Sequence, residues 1–278
     1  MGKIVFMKFP DKMEASEFAA RTIIRTFGNL SKWDRMILGT ATGQTPVLTY
    51  KKFAELVEEN KGWYALSKNS LLFRQLDNYI SPGSSEDNLP EYSYELELKK
   101  SIWRVPNGGT LIPKEYAENP EEEAKRYGRV VETTTAKADF ILQILGIGDE
   151  DGHIAFNMPG DSFDSTVHVV DLNEETIRAN AYKFFDGDTT RVPRRAITMG
   201  IGDILKSDLI MLEAFGRKKA NIIWKAFFTE PSTEIPATAL QLFKGTVLVL
   251  LDEDSASTIA EKEGAEVFSK NLYSEIFK

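Results

Sequence analysis

Residues 245–252 read GTVLVLLD, five consecutive apolar side chains between a glycine-threonine pair and an aspartate. A strand with one wet face alternates polar and apolar residues; this run does not, so it belongs to a sheet covered on both faces, the hallmark of parallel strands. Working outward, KIVFMKF (3–9), RMILGT (35–40), SLLFRQL (70–76), DFILQILG (139–146), AITMGI (196–201) and DLIMLEAF (208–215) have the same character. Helical patterns separate them, over 12–27, 46–59, 91–103, 119–136, 173–184, 217–228 and 254–262, with Gly28 as the stop of the first. Strands alternating with helices imply right-handed crossovers. The expected fold is therefore α/β: a single doubly wound, mostly parallel sheet with helices on both faces, Rossmann-like. Without a Pro/Ser-rich linker or an internal repeat, residues 1–278 read as one domain.

Composition narrows the function classes. The chain has 278 residues, 42% of them apolar and 27% charged, which suits a globule with a sizeable core. It contains no cysteine, so disulfides, thiolate metal sites and cysteine nucleophiles are excluded. No run approaches the roughly 20 apolar residues of a membrane span, and the first residues do not have the pattern of a signal peptide. The expectation is a cytoplasmic protein with no membrane partner. A net charge of −8 speaks against nucleic acid as a partner, but a few basic groups in a cleft can still bind a small anion.

In a doubly wound sheet, ligands bind beyond the carboxyl ends of the strands. The first loop of interest, LGTATGQTPVLTY (38–50), takes a strand into a helix through small polar residues. Thr45 suits the helix N-cap and Pro46 the first helical position, leaving backbone N–H groups for an anion. The same residues also make a tight, well-capped turn with no ligand. The loop is neither a Walker A motif nor G-x-G-x-x-G. The second loop, after SLLFRQL, begins with Asp77: at the rim of a crevice its carboxylate could act as a base, while Asp-Asn also commonly opens a turn. The polar stretch behind it has the look of a lid.

The third loop is GIGDEDGHIAFNMPG (146–160), which holds one of only two histidines. Asp151 and His153, with Gly152 between them, form in outline a carboxylate-imidazole acid/base pair. Gly146, Gly148 and Gly152 favour close backbone approach. The other histidine, His168, lies in the alternating run STVHVVDL and reads as structural or surface. Two distant histidines and no cysteine make a metal site unexpected, and no G-x-S-x-G elbow supports a serine hydrolase.

Taken together, LGTATGQTP, LDNY, GIGDEDGHIAFN, and RANAYKFF followed by VPRRAITMGI resemble, in order and spacing, the glucosamine-6-phosphate deaminase/isomerase family, whose superfamily includes the 6-phosphogluconolactonases. The resemblance covers about residues 15 to 265, and DGHIAFN is its most specific part. It implies an aldose–ketose isomerase/deaminase acting on a hexosamine 6-phosphate, glucosamine or galactosamine, without a cofactor. The implied partner is a small sugar phosphate, and a homo-oligomer is compatible with the family. Asp77 matches the enolisation base, and His153 with Asp151 the ring-opening pair. Thr42, Gly43, Gln44 and Thr45 match the phosphate loop and Lys219 the phosphate lysine. The phosphate arginine falls where this chain has one extra residue, so Lys183 or Arg178 takes its place.

Two positions depart from the family pattern. Asn78 stands where the family usually has Glu. More seriously, the segment HIAFNEP becomes HIAFNMP, and the glutamate that completes an Asp-His-Glu relay is Met158, which carries neither a proton nor a charge. The alternatives are a lactonase of the same superfamily, against which IAFN after the histidine speaks, and a catalytically weak sugar-phosphate sensor, which Met158 keeps open.

Overall fold

The computed structural model describes residues 2–28, 35–60 and 70–269. All seven expected strands form. They are β1 (Lys3–Phe9), β2 (Met36–Thr40), β3 (Leu71–Gln75), β6 (Phe140–Leu145), β8 (Arg195–Thr198), β9 (Leu209–Ala214) and β10 (Thr246–Asp252). Three short strands join them: β4 (Asp77–Tyr79), β5 (Gly109–Leu111) and β7 (His168–Asp171).

Among the described residues, seven strands make one all-parallel sheet in the order β1-β10-β9-β6-β2-β3-β5. Residues of β2 and β9 are buried throughout, and β10 is exposed only toward its ends, which is why GTVLVLLD carries no alternation. The edge strand β1 buries Val5, Phe6, Met7 and Phe9 and exposes Lys3 and Lys8.

The helices are α1 (Lys12–Phe27), α2 (Val47–Glu59), α3 (Tyr94–Ser101), α4 (Pro120–Lys137), α5 (Glu174–Phe184), the single turn α6 (Ile201–Ile204), α7 (Ala220–Phe228) and α8 (Glu253–Glu263). The chain steps from β1 to β2 to β3 to β5 in one direction across the sheet and from β5 back through β6, β9 and β10 in the other. Right-handed crossovers then put α1, α2 and α3 on one face and α4 and α7 on the opposite face, so the sheet is doubly wound. Packing of α1 on α2 and of α7 on α8 follows from that split.

Several expectations need correction. The run 196–201 does not enter the main sheet: β8 ends at Thr198 and forms the middle of a separate antiparallel sheet, β4-β8-β7. Asp77 and Asn78 do not open a turn. They begin β4, with Asp77 opposite Thr198 and Asn78 opposite Ile197. Helix α2 starts at Val47, one residue later than expected, because Pro46 supplies the carbonyl for the first helical bond, from Tyr50 N at 2.9 Å; Thr45 does not cap it. Gly28 does follow α1, but in a right-handed conformation. The edge strand β5 was not legible as a strand, since its three residues are only half-buried.

Candidate functional site

β2 and β6 are neighbours in the sheet, yet the chain leaves β2 toward β3 and leaves β6 toward β9. Their outgoing loops separate at this switch point and open a crevice at the carboxyl end of the sheet. A cavity of about 220 Å³ sits there. Its walls are the loop after β2 (Ala41, Thr42, Gly43, Thr45), the step from β3 to β4 (Leu76, Asp77) and the loop after β6 (Gly146 to Asp149, then His153). Tyr94, Phe156, the first turns of α5 and Lys219 close it.

The loop after β2 is fixed from behind. The Tyr50 hydroxyl accepts a bond from Ala41 N and donates one to Ala41 O, both 2.8 Å. Gly43 N donates to the Glu97 carboxylate at 3.0 Å, so the first anion on this loop is a side chain from α3. Thr42, Gly43 and Thr45 line the cavity, whereas Gln44 is exposed and does not. A turn residue that follows a positive-φ glycine (Gly43, φ 102°) is directed by the local bend, which the order of residue types does not reveal.

Asp77 is 5% exposed, and its Oδ1 has no hydrogen-bond partner among the described residues. Burial lifts its carboxyl from the ordinary 3.8 to about 7; the Thr42 and Gln75 side chains pull it back down and the Glu97 charge pushes it further up. A carboxyl poised near neutrality can both take and return a proton.

The loop after β6 carries the imidazole. His153 Nδ1 lies 2.7 Å from Asp151 Oδ1, which also accepts from His153 N at 3.1 Å. Asp151 Oδ2 accepts from Asn173 Nδ2 at 2.9 Å, so the N-cap residue of α5 holds the far side of the same carboxylate. Burial alone would raise the Asp151 carboxyl, but the hydrogen bonds and charge of His153, with the Asn173 bond, hold it well below the usual carboxylate range.

Two glycines make this loop possible. A Cβ at Gly148 would sit 2.3 Å from His153 Nδ1 and 2.4 Å from Asp151 Oδ1. Gly152 adopts φ 69°, a conformation that a side chain would strain. The next segment is anchored to β8: Asn157 Nδ2 donates to Ile154 O and Met199 O, both at 2.9 Å, and Phe156 N to Thr198 Oγ1 at 3.1 Å. Ala155, on the cavity wall, is held at φ 52° between these anchors.

Lys219 ends a short 3₁₀ turn, Arg217–Lys219, after β9. Its ammonium contacts the Asp149 carboxylate and donates to the Ile147 carbonyl, which aims it into the cavity. Arg178 is not brought there; it is exposed and absent from the wall, because the cavity face of α5 is formed by Glu175, Thr176, Ala179 and Asn180. The Lys183 side chain lies outside the described residues. His168 begins β7, with Nδ1 2.7 Å from Thr166 O, in the structural position its alternating run implied.

Met158 is 8% exposed and packs with Tyr79, Tyr94, Phe156 and Phe185. Phe156 and Tyr94 line the cavity and Met158 does not, so the thioether lies one layer behind the wall.

Sequence reasoning missed Glu97, Glu175, Asn173 and Tyr94. The two glutamates sit on helices whose first turns are rich in acids for the helix dipole, and nothing local marks which acid faces a site. Among the described residues, no group of three His, Cys, Asp or Glu could hold a metal ion, and no helix is long and apolar enough to cross a membrane.

The sequence and fold are similar to those of known proteins. The family model described as glucosamine-6-phosphate isomerases/6-phosphogluconolactonase matches residues 10–249. A glucosamine-6-phosphate deaminase from Clostridium perfringens is 36% identical over 246 residues, 88% of this chain and 96% of its own. A solved monomeric glucosamine-6-phosphate deaminase superposes with a TM-score of 0.79 at 34% identity, covering 91% of this chain and 99% of that one. The 6-phosphogluconolactonase of Trypanosoma brucei shares the fold, with a TM-score of 0.67 at 20% identity over 94% and 99% of the two chains. With the match running from the end of β1 into β10 and taking in all three loops that build the cavity, the chain belongs to the glucosamine-6-phosphate isomerase/6-phosphogluconolactonase family.

Proposed function

We propose that the protein is an aldose–ketose isomerase/deaminase that converts a hexosamine 6-phosphate and water into a ketose 6-phosphate and ammonia. One observation carries this reading. A single cavity gathers a buried carboxyl poised near neutrality, a carboxylate-held imidazole and an anion-binding loop faced by a lysine. The names of the relatives support it.

The phosphate rests on the amides and hydroxyls of Thr42 to Thr45 and on Lys219, displacing Glu97 from Gly43 N and drawing Lys219 from Asp149. His153 takes the C1 hydroxyl proton, the C1–O5 bond breaks, and the proton passes to O5, leaving an open-chain aldehyde. Asp151 and Asn173 hold the ring during this exchange. Asp77 then removes the C2 proton, and the electron pair of that bond moves through C1 to the carbonyl oxygen, which is protonated. Return of the proton to C1 draws the nitrogen lone pair into a C2 imine; water adds at C2 and ammonia leaves. His153 and Asp77 thus carry the ring-opening and the C2-to-C1 proton transfers, while the proton on the carbonyl oxygen comes from solvent.

A phosphorylated substrate of this kind fits a cytoplasmic enzyme. The test is to offer glucosamine 6-phosphate, galactosamine 6-phosphate and 6-phosphogluconolactone in parallel and to measure ammonia, ketose phosphate and lactone loss. Ammonia from a hexosamine phosphate is expected. Lactone hydrolysis alone, or tight hexosamine-phosphate binding with no turnover, would refute the reading.

A further inference from the structure

Among the described residues, three carboxylates line the cavity: Asp77, Asp149 and Glu175. Asp77 is set against Thr42 and Gln75, and Asp149 contacts Lys219. Glu175 remains, half-buried in the first turn of α5. That turn is docked on the imidazole's own loop, because Asn173, two residues earlier, binds Asp151 Oδ2 at 2.9 Å.

We infer that Glu175 is the second carboxylate of the His153 site, lining the same cavity beside the His153–Asp151 pair and stabilising the positive charge that the ring gains when it takes the C1 hydroxyl proton. The inference rests on the isomerase/deaminase reading of the cavity. It assigns Glu175 as a positioning residue, acting through His153 and not on the sugar.

The electrostatics agree with that placement. Burial and the neighbouring Asp151 and Glu150 carboxylates push the Glu175 carboxyl up, while the His153 ring and the Glu150 backbone N–H draw it down. The groups facing it are therefore Glu150, Asp151 and His153 from the loop after β6, with Asp149 and Lys219 on the same cavity wall. Of these, the imidazole is the group whose charge changes during ring opening, and a carboxylate close to it favours the charged form. The placement also accounts for Met158: a carboxylate arriving from α5 leaves no need for one at 158, and that position is free to pack with Tyr79, Tyr94 and Phe156.

A double-mutant cycle tests the inference. Turnover of glucosamine 6-phosphate is measured by ammonia release for wild type, Glu175→Gln, His153→Gln and the double variant. Glu175→Gln should lower kcat about tenfold with KM within about twofold. In the His153→Gln background the same change should cost nothing further, because the charge it serves no longer forms. Glu175→Ser, which suits a first helical turn, should repeat the pattern. An equal loss in both backgrounds, or full kcat in Glu175→Gln, would overturn the inference. Full turnover in His153→Gln would instead overturn the acid/base reading of the cavity itself.

Discussion

Replacing Asp77 with asparagine should produce an enzyme that is inactive and, above neutral pH, more stable than the parent. The carboxyl is buried, and burial raises it from 3.8 to about 7. The folded state therefore holds a proton that the unfolded chain has already released. For a raised acid, stability is present at low pH and is lost as pH climbs from the unfolded value through the folded one. The full change corresponds to roughly 4 kcal/mol, and the part falling between pH 5 and pH 8 to roughly 2.5 kcal/mol. Asparagine is similar in size and does not titrate, so the variant escapes this loss. Its stability relative to wild type should improve by that amount from pH 5 to pH 8, as read by urea unfolding at each pH. Catalysis should fail in the same variant, by about 10²–10⁴-fold in kcat, because the amide accepts no proton from C2. In wild type the ionised fraction of Asp77 grows about tenfold between pH 6 and pH 8, so the acidic limb of the rate profile should have its midpoint near pH 7. Parallel stability curves for the two proteins would refute the claim that burial holds the proton on Asp77. Turnover within tenfold of wild type would refute its role as the base.

Lys219→Ala removes the cavity-facing ammonium and leaves Asp149 facing the phosphate, so affinity for substrate and for inorganic phosphate should both fall by about 1.5–3 kcal/mol; unchanged phosphate inhibition would show that the anion binds elsewhere. Met158→Glu puts a carboxylate among Tyr79, Tyr94 and Phe156, and it should cost about 2 kcal/mol or more at pH 8 and less at pH 5, where the acid can stay neutral; a variant as stable as wild type at both pH values would show that the position opens to water. Glu213, buried and bonded by Thr49 Oγ1 at 2.9 Å, is raised by burial to about 8, so Glu213→Gln should lose less stability than wild type between pH 5 and pH 8. A wild-type slope equal to that of Glu213→Gln in urea titrations across this range would contradict it.

The continuous apolar runs of β2, β6, β9 and β10 determined the sheet before any contact was known, since a strand buried on both faces writes that burial into every position. Loops directly after such strands could then be singled out, and Asp77, His153, Thr42, Gly43 and Thr45 do meet at one cavity, with Asp151 bonded to His153 and with Lys219, which the family resemblance implied. The reading was weakest where the signal is not periodic. The three residues of β5 pair with β3 on the sheet edge, and β4, β8 and β7 assemble a second sheet in which Asp77 pairs with Thr198, far along the chain. Short strands of this kind are specified by their partners more than by their own residues.

Side-chain direction was likewise invisible to the chain order. Gln44 and Arg178 carry the right chemistry but face away, whereas Glu175 and Asn173 look like ordinary helix-start residues and face inward. Burial patterns and motif order are properties of neighbouring positions, and the sequence alone conveyed them. Which α5 residues line the cavity, how far burial raises the Asp77 carboxyl, and whether Met158 meets the cavity or the aromatic cluster behind it depend on how distant segments pack. Those questions were decided only in the tertiary structure, because desolvation and charge proximity are set by groups far apart in sequence.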